Sequence, residues 1–507
     1  MVKRNNFRRL TTPQSLNAYI KGICDIMRRS GRAGALQYVP ELTWMLFLRI
    51  LDEREEKEAE YAKAVGAEFR PSLEYPYRWR DWAAHNGKKR LELQLGTLGV
   101  FMNFVNSDLL PTLRKLKDKS GATPRQKVIS EVFSSFERTG VDTERNLLDI
   151  LDKIHELSLE QVDETHMFTL SQVYEGLLRK LGEKNNGGGQ FFTPREVIRV
   201  MVRVINPEIG ETVYDPCCGT GGFLAQAYQL MKQKAKTGED IEILKTRTFC
   251  GREKENLVYP IALANLVLQE IDEPHIWHGN TLTGLEVYGG LCQRASALFD
   301  VVLTNPPFGG KEGKDAQTRF AYKTSATQVL FLQHVIDSLK SGGKCGIVMD
   351  EDVLFRTNET AFVQTKRKLL NECNLWCIVS LPPKVFMNAG AASKTNLLFF
   401  TKGEPTNDVW YYDLSDLNIT KKQQLTVEHF EEFFKLLNPS TLELREGDRS
   451  WRVSIEEIKA KDYDLKAVNP NRKDKEDSRS PDELIGIIES QTNEITKVVE
   501  ILRNKGV

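Results

Sequence analysis

The segment with the clearest chemical signal is Asn-Pro-Pro-Phe at residues 305–308, which follows directly on an apolar run. Pro306 and Pro307 fix φ and remove backbone donors, so the turn is rigid and rich in acceptors. An exocyclic amine is a poor nucleophile because its lone pair is conjugated with the ring. If the Asn305 side-chain oxygen and the Pro306 carbonyl accept its two N–H bonds, the nitrogen becomes more tetrahedral and reactive. Phe308 would stack on a base extruded from a duplex.

A second candidate site lies in VYDPCCGTGGFL at residues 213–224. A short strand is predicted to end in Asp215 and to continue through a loop of small residues into a helix. Gly219, Gly221 and Gly222 let the backbone approach a ligand closely, and the start of the helix offers unpaired N–H groups. The spacing departs from the dinucleotide fingerprint, and the Asp-Pro pair suits a ligand with a cationic amino acid end better than a pyrophosphate.

A third candidate is the carboxylate of Glu253, in the sequence GRE after an apolar run at 248–250. At the end of a strand, such a carboxylate accepts both hydroxyls of a ribose. A dinucleotide fold places this acid about 20 residues after the glycines. Here the separation is about 30 residues, so we expect a longer helix or an insertion at residues 232–240.

Short apolar runs and helical stretches alternate after residue 190 and predict an α/β domain with a largely parallel sheet. Late antiparallel strands are predicted at 397–400 and 409–412. The other apolar runs lie at 212–214, 248–250, 298–303, 345–349 and 376–381.

The first 160 or so residues show helical stripes at 15–27, at 40–58 and at 143–157, with Pro40 placed where the second helix begins. The sequence KNNGGGQ at 184–190 interrupts any regular element. We predict three parts: a helical N-terminal domain at 1–165, a catalytic domain at 166–415, and a C-terminal region at 416–507. This last region holds a charged linker at 473–480 and a final helix that packs on its own protein or docks onto another subunit.

Composition excludes several protein classes. The 507 residues carry 70 Lys and Arg against 70 Asp and Glu, and 40% are hydrophobic, but no apolar run reaches the length of a membrane span. No secretory leader is recognisable, so we expect a cytoplasmic protein. The eight cysteines include no Cys-x-x-Cys pair, so no metal site is predicted. Non-specific affinity for DNA comes mainly from neutralising phosphates, and this chain has no net charge. We therefore expect another subunit to supply most of the sequence-specific binding to DNA.

With these motifs in this order, the sequence resembles the amino-methyltransferases of DNA, and more closely the modification subunits of type I restriction systems. The resemblance covers most of the chain, including the helical N-terminal region, residues 169–201, the glycine loop, the GRE turn and TNPPFGG. It implies a Rossmann-like methyltransferase domain that uses S-adenosylmethionine, with a helical N-terminal domain and a C-terminal helical extension. The implied target is N6 of adenine in double-stranded DNA. The implied partners are a specificity subunit, a second copy of the modification subunit and a restriction subunit, with no membrane.

The resemblance also assigns residues. In this family the segment before the glycine loop closes over the methionine end of the cofactor, and Thr193 and Pro194 look like a helix N-cap and first position. Thr220 carries over with the loop glycines and Glu253. Asn280, in HGNTL, stands where many relatives have an Asp that contacts the adenine ring of the cofactor. The residues assigned to the closing segment are Gln190, Phe191, Phe192, Thr193, Pro194 and Arg195.

Other interpretations remain open from the sequence. Asn-Pro-Pro turns also serve the methylation of N4 of cytosine, of a ribosomal RNA guanine or of a glutamine side chain. The chain length and the long helical N-terminus disfavour the RNA and protein substrates. A catalytically silent scaffold subunit is a further alternative, against which the intact Asn305, Phe308, Glu253 and glycine loop argue.

Overall fold

The N-terminal part of the chain is helical, as the sequence predicts. The computed structural model describes residues 13–29, 35–156, 193–293, 295–386, 394–420, 425–438, 443–471 and the four positions 485, 486, 489 and 492. The helices of this part are α1 (Pro13–Arg29), α2 (Ala35–Ala64), α3 (Trp79–Trp82), α4 (Lys88–Gln94), α5 (Val100–Phe104), α6 (Leu110–Arg114), α7 (Pro124–Val132) and α8 (Glu144–His155), with a π-helical turn at Val105–Leu109 and a 3-10 turn at Leu116–Asp118.

Pro40 is placed differently from the prediction. Helix α2 begins at Ala35, and Pro40 lies inside it rather than at its start. Proline removes one intrahelical hydrogen bond. The helix continues through it because the following residues, among them Leu42, Met45 and Leu46, are completely buried. Packing of this apolar face against the core outweighs the local cost of the proline.

The second half of the chain builds one ten-stranded sheet in the order β12-β9-β7-β8-β6-β5-β1-β2-β3-β4. The five adjacent strands β6, β5, β1, β2 and β3 run parallel to one another. From β1 the sheet continues through β2 and β3 on one side and through β5 and β6 on the other, so the strand order reverses at β1. Ligands bind at the carboxyl ends of strands beside such a switch point. The strands are β1 (Val213–Asp215), β2 (Phe249–Glu253), β3 (His275–Asn280), β4 (Leu285–Tyr288), β5 (Phe299–Thr304), β6 (Leu339–Asp350), β7 (Cys373–Ser380), β8 (Thr395–Lys402), β9 (Asp408–Asp413) and β12 (Ser450–Ser454).

The helices of this half pack on the sheet. The insertion expected at residues 232–240, after the helix that follows the glycine loop, proves to be a separate helix at Gly238–Thr246, capped by the Thr237 hydroxyl. The helices are α9 (Arg195–Ile205), α10 (Gly222–Lys232), α11 (Gly238–Thr246), α12 (Tyr259–Leu268), α13 (Lys314–Gln317), α14 (Thr327–Ser338), α15 (Glu351–Phe355), α16 (Thr360–Glu372), α17 (Glu431–Leu436) and α18 (Ile455–Ala460), with a 3-10 turn at Val427–Phe430 and a small hairpin of β10 (Leu437–Asn438) and β11 (Glu443–Leu444).

The late strands are only partly as predicted. Strand β8 is antiparallel to both of its neighbours, β6 and β7. Strand β9 is parallel to β7 and antiparallel only to β12. The sheet also continues past residue 414, where the sequence pattern dissolves, because β12 pairs with β9 over five residues, Ser450 to Ser454. Its alternation is too short to stand out in a charged stretch.

The helical part is joined to the sheet part through α12, the helix that follows the strand ending in Glu253. Arg54 of α2 donates to the Val267 carbonyl at 3.1 Å and pairs with Asp272. Arg125 of α7 pairs with Glu58 at 2.6 Å and with Asp272 at 3.2 Å. These four side chains are only 16% to 31% exposed, so their ion pairs are partly shielded from solvent. The cluster therefore links the N-terminal helices to the sheet part.

Residues Met1–Ala467 form one compact unit and Val468–Val507 a second. Of the predicted C-terminal helix, the structure describes positions 485, 486, 489 and 492, which are helical. The rest of that helix and its seam, like the linker at 473–480, lie outside the described residues. The domain boundaries after residues 165 and 415 stay predictions.

Candidate active site at the carboxyl ends of the central strands

The predicted site residues of the sheet part lie at the ends of neighbouring parallel strands. Asp215 is the last residue of β1, Glu253 of β2 and Asn280 of β3, and Asn305 follows directly on β5. Because these strands are adjacent and parallel, their carboxyl ends meet at one edge of the sheet. The structure therefore brings these four residues to one place, although up to 90 positions separate them along the chain.

The glycine loop is held in a defined shape between β1 and α10. Gly219 and Gly221 have φ of +53° and +78°, in the left-handed region that favours glycine. A Cβ at Gly222 would lie 3.0 Å from the Ile198 side chain, so α9 packs closely here. The loop is pinned from outside: the Asn265 amide donates to the Thr220 carbonyl at 2.8 Å, and the Thr281 hydroxyl to the Pro216 carbonyl at 2.6 Å.

The Asp215 carboxylate is buried beneath this loop. It accepts from the Thr304 hydroxyl at 2.7 Å and from the Cys217 N–H at 3.2 Å. The pKa of Asp215 is raised to about 7, mainly by burial and to a smaller extent by the nearby Glu253 carboxylate, while both hydrogen bonds oppose the shift. A buried carboxylate of this kind is stabilised by a cationic ligand group.

Glu253 is also buried, and its carboxylate accepts three hydrogen bonds from backbone N–H groups. One oxygen accepts from the Gly219 N–H at 2.9 Å; the other accepts from the N–H groups of Lys254 and Glu255 at 2.9 and 2.8 Å. A carboxylate has about four acceptor positions, so about one is left in this arrangement. Acceptance of both hydroxyls of a ribose, as the sequence predicts, requires one backbone donor to leave. Burial raises the pKa of Glu253 to about 7.

The side chain of Asn305 is oriented by Thr193. The Asn305 amide nitrogen donates to the Thr193 hydroxyl at 3.0 Å. Its side-chain oxygen is buried and has no hydrogen-bond partner among the described residues. A buried acceptor without a partner costs about 1–3 kcal/mol, and native proteins keep few of them. An acceptor held open at the end of a strand is ready for an N–H donor that arrives from outside.

Thr193 therefore differs from the prediction. It is not the N-cap of α9: the cap is Pro194, with φ −54° and ψ 131°, and the helix begins at Arg195. The proline cannot be the first helical residue here because its ψ is extended. As a result the Thr193 hydroxyl is released from capping and points to Asn305. Arg195 lies on the exposed first turn. Gln190, Phe191 and Phe192 lie outside the described residues.

The rest of the turn is braced by its surroundings. The Pro306 carbonyl accepts from the Gln328 amide at 3.2 Å, which occupies one of its two lone pairs. The ring of Phe308 meets the ring of Phe386 edge-on, with centroids 5.4 Å apart. The predicted acceptor at Pro306 is thus present with one position left, and one side of the Phe308 ring is supported by another ring.

Asn280 offers a donor rather than an acceptor. Its side-chain oxygen accepts from the N–H groups of Leu282 and Thr283 at 3.0 and 3.2 Å, which uses both lone pairs. Only its amide N–H₂ can serve a ligand in this arrangement. An Asp at this position could only accept, so the departure from the family pattern changes the chemistry of the contact.

Sequence reasoning missed two side chains that shape the site, Thr304 and Gln328, and the role of a third, Thr193. Thr304 donates to Asp215 and lies 3.1 Å from the Cys217 sulfur; its place directly before Asn305 was a usable signal. Gln328 and the orienting role of Thr193 carried no local signal, because their partners are 22 and 112 positions away. Cys217 and Cys218 are free thiols whose pKa burial raises well above the ordinary value, as suits packing residues.

Comparison with known families shows which family the chain belongs to. Residues 165–479 match the family described as N-6 DNA Methylase, and residues 16–154 match the HsdM N-terminal domain. The first match alone covers more than half of the chain. The chain belongs to the N-6 DNA methylase family.

Individual relatives show which group of DNA methylases this chain resembles. The methylase subunit of the type I restriction enzyme EcoEI from Escherichia coli is 34% identical over 97% of this chain and 97% of its own. The EcoKI methylase subunit of Escherichia coli K12 is 30% identical over 87% of this chain and 79% of its own. The predicted family, the modification subunits of type I restriction systems, is confirmed, and with it the prediction of an adenine-specific DNA methyltransferase.

Solved structures agree in fold. A modification subunit from Vibrio vulnificus YJ016 is 32% identical, with a TM-score of 0.78 over 92% of this chain and 98% of its own. A chain from a study of complex assembly in a type I R-M system is 38% identical, with a TM-score of 0.73 over 97% of this chain and 98% of its own. The predicted methyltransferase fold with a helical N-terminal part is thereby confirmed. No helix in the described part of this DNA methylase is long and apolar enough to cross a membrane.

Proposed function

We propose that this DNA methylase holds S-adenosylmethionine at the carboxyl ends of β1, β2 and β3 and presents an extruded adenine to it at the residues 305–308. The observation that carries the proposal is the buried oxygen of Asn305, which has no hydrogen-bond partner among the residues that the structure describes. Its acceptor chemistry matches the N–H of an amino group. The residue beside it, Thr304, is bonded to Asp215 at the glycine loop, so the two halves of the site are in direct contact.

The residues at the glycine loop fit the cofactor. The buried Asp215 carboxylate suits its cationic end, and the backbone of Gly219 to Gly222 has no large side chains to keep a ligand away. Glu253 has about one acceptor position for a ribose hydroxyl. The Asn280 amide donates to a ring nitrogen of the cofactor's adenine. When bound, the cofactor supplies an electrophilic methyl group on a sulfonium. The segment from Gln190 to Arg195 completes this site in our proposal.

The amine is activated by position and by hydrogen bonding. The Asn305 oxygen and the free lone pair of the Pro306 carbonyl accept its two N–H bonds, which draws the nitrogen toward tetrahedral geometry. The Thr193 hydroxyl accepts from the Asn305 amide nitrogen, which leaves the Asn305 oxygen to face the amine. Phe308, supported by Phe386, stacks on the base and stabilises it outside the duplex. Holding donor and acceptor in this geometry lowers the entropic part of the barrier to methyl transfer.

DNA contact is assigned to the connection at residues 308–326, which follows the catalytic turn directly. It carries four basic and two acidic side chains, although the chain as a whole has no net charge. Lys311, Lys314 and Lys323 are exposed. Such lysines bind phosphates independently of sequence. Base recognition then belongs to a specificity subunit, and the working complex contains a second copy of this chain and a restriction subunit.

Nucleoside analysis of modified DNA tests the proposed reaction. The chain is co-expressed with the specificity subunit encoded beside it, and the host DNA is hydrolysed to nucleosides. N6-methyldeoxyadenosine that requires both proteins supports the proposal. N4-methylcytidine in its place would show the other amino target, and an absence of methylation with stable cofactor binding would show a silent scaffold subunit.

A further inference from the structure

Helix α14 carries a row of buried polar side chains that face the connection leading out of the catalytic turn. Gln333 donates to the Tyr322 carbonyl at 2.9 Å and accepts from the Tyr322 N–H at 3.0 Å. The Thr327 hydroxyl donates to the Glu312 carboxylate at 3.0 Å. These two side chains hold the connection at residues 312 and 322. Gln328, 4% exposed, is the member of the row that reaches the catalytic turn itself.

The Gln328 amide forms a bridge between two strand ends. Its nitrogen donates to the Pro306 carbonyl at 3.2 Å, and its oxygen accepts from the Asp350 N–H, the last residue of β6, at 2.9 Å. The second bond fixes the orientation of the amide, so the N–H₂ group must face Pro306. Both polar ends of a buried side chain are thus satisfied, and each end has one role.

A hydrogen-bond donor to the Pro306 carbonyl has to come from outside the catalytic turn. Pro306 and Pro307 have no N–H groups, so the turn cannot bond this carbonyl through its own prolines. Proline fixes φ at Pro306, but the direction of its carbonyl depends on ψ, which the following proline only restricts to a broad extended range. A hydrogen bond to one lone pair narrows that range and leaves the other lone pair in a defined direction.

We propose that Gln328 is a positioning residue for methyl transfer: it aims the free lone pair of the Pro306 carbonyl at the adenine amine, opposite the Asn305 oxygen. This inference rests on the proposed function of the catalytic turn. Gln328 itself does not touch the substrate. Its effect is confined to the geometry of the amine, so its loss lowers the rate of methyl transfer and leaves the cofactor site intact.

Two substitutions with a matched control test this role. Gln328→Leu keeps the volume and removes both bonds. Gln328→Glu keeps the acceptor for Asp350 but places an oxygen against the Pro306 carbonyl, where only the protonated carboxyl can donate. Gln333→Leu removes an equally buried glutamine of the same helix that bonds to Tyr322 instead. Each variant is assayed as the complex with the specificity subunit, in single-turnover methyl transfer and in cofactor binding.

We expect Gln328→Leu to lower the methyl-transfer rate about 10- to 100-fold, the effect of a small misplacement of reacting groups, with cofactor affinity within about threefold of wild type. Gln328→Glu should be impaired at about pH 8 and recover, relative to wild type, toward about pH 6 as its carboxyl becomes protonated. Because Gln333 holds Tyr322 in the connection assigned to DNA contact, the comparison is made at saturating DNA, where Gln333→Leu should lower thermal stability and change the single-turnover rate by less than about threefold.

The inference is overturned if Gln328→Leu is folded and transfers methyl groups at the wild-type rate, or if Gln333→Leu loses the rate equally. Should Gln328→Leu fail to fold, the pH profile of Gln328→Glu decides: a profile parallel to that of wild type contradicts the role of the donated hydrogen bond. An inactive wild-type complex would instead contradict the proposed function, so the two failures are distinguishable.

Discussion

Replacing Asn305 by alanine separates the chemistry of the site from its stability. The substitution removes the oxygen that accepts from the amine but no group assigned to the cofactor. Loss of one preorganised polar group at a reacting centre lowers enzyme rates about 100- to 1,000-fold, or about 3 to 4 kcal/mol. We therefore expect a loss of this size in methyl transfer and cofactor affinity close to that of wild type.

We expect Asn305→Ala to lose methyl-transfer activity without losing stability. In wild type this buried oxygen has no partner within the described part of the chain, which costs about 1–3 kcal/mol, and the bond to Thr193 contributes about 1 kcal/mol. Alanine removes both contributions. The free energy of unfolding should therefore stay the same or rise by up to about 2 kcal/mol, although the enzyme has lost its activity. A gain in stability with a loss of rate is the signature of an acceptor kept open for a substrate.

The assay is single-turnover methyl transfer to duplex DNA by the complex with the specificity subunit, with calorimetric cofactor binding and thermal unfolding measured on the same preparations. Thr193→Val is the companion variant: it keeps the Asn305 oxygen but releases the amide to rotate, and a smaller loss of about tenfold is expected. The reasoning is refuted if Asn305→Ala keeps a rate within about threefold of wild type, or if it loses cofactor affinity as strongly as rate.

Three further predictions concern the surroundings of this turn. Because burial raises the pKa values of Asp215 and Glu253 to about 7, the folded protein holds these protons more tightly than the unfolded chain, so the stability of the ligand-free protein should fall as pH rises toward 7. Affinity for the cationic cofactor should rise over the same range; titration calorimetry at several pH values checks this, and a flat profile contradicts it. Gly221→Ala should lower stability by about 1–2 kcal/mol and weaken cofactor binding, since φ is +78° and the new Cβ would lie 3.1 Å from Leu266; denaturant unfolding measures the loss, and an unchanged midpoint contradicts it. Replacing Lys311, Lys314 and Lys323 by alanine should reduce the slope of log K for DNA against log salt by about 0.9 for each phosphate that is no longer neutralised. An unchanged slope would exclude this surface; Lys459 and Lys461, which are exposed in and after the helix that follows the edge strand β12, provide the control substitutions.

The sequence by itself determined the parts of the site that are local in the chain. Asp215, Glu253 and Asn305 each end or follow a short apolar strand, and strand ends are readable from composition because a buried parallel strand is continuous in apolar residues. The glycine loop was equally readable, since φ values of +53° and +78° call for glycine wherever they occur. These motifs, in their order, also carried the family resemblance that the comparisons confirm.

The tertiary structure alone decided how the polar groups of the site are shared. These contacts depend on which groups meet across the fold. They are the bond of Thr193 to Asn305, the bridge of Gln328 to Pro306, the three backbone donors on Glu253 and the two backbone donors on the Asn280 oxygen. Strand β12 was missed for the same reason, because its place is set by pairing with β9. Spacing along a chain encodes the local conformation of the backbone, whereas the lone pairs left for a ligand depend on every donor that folding brings within about 3 Å.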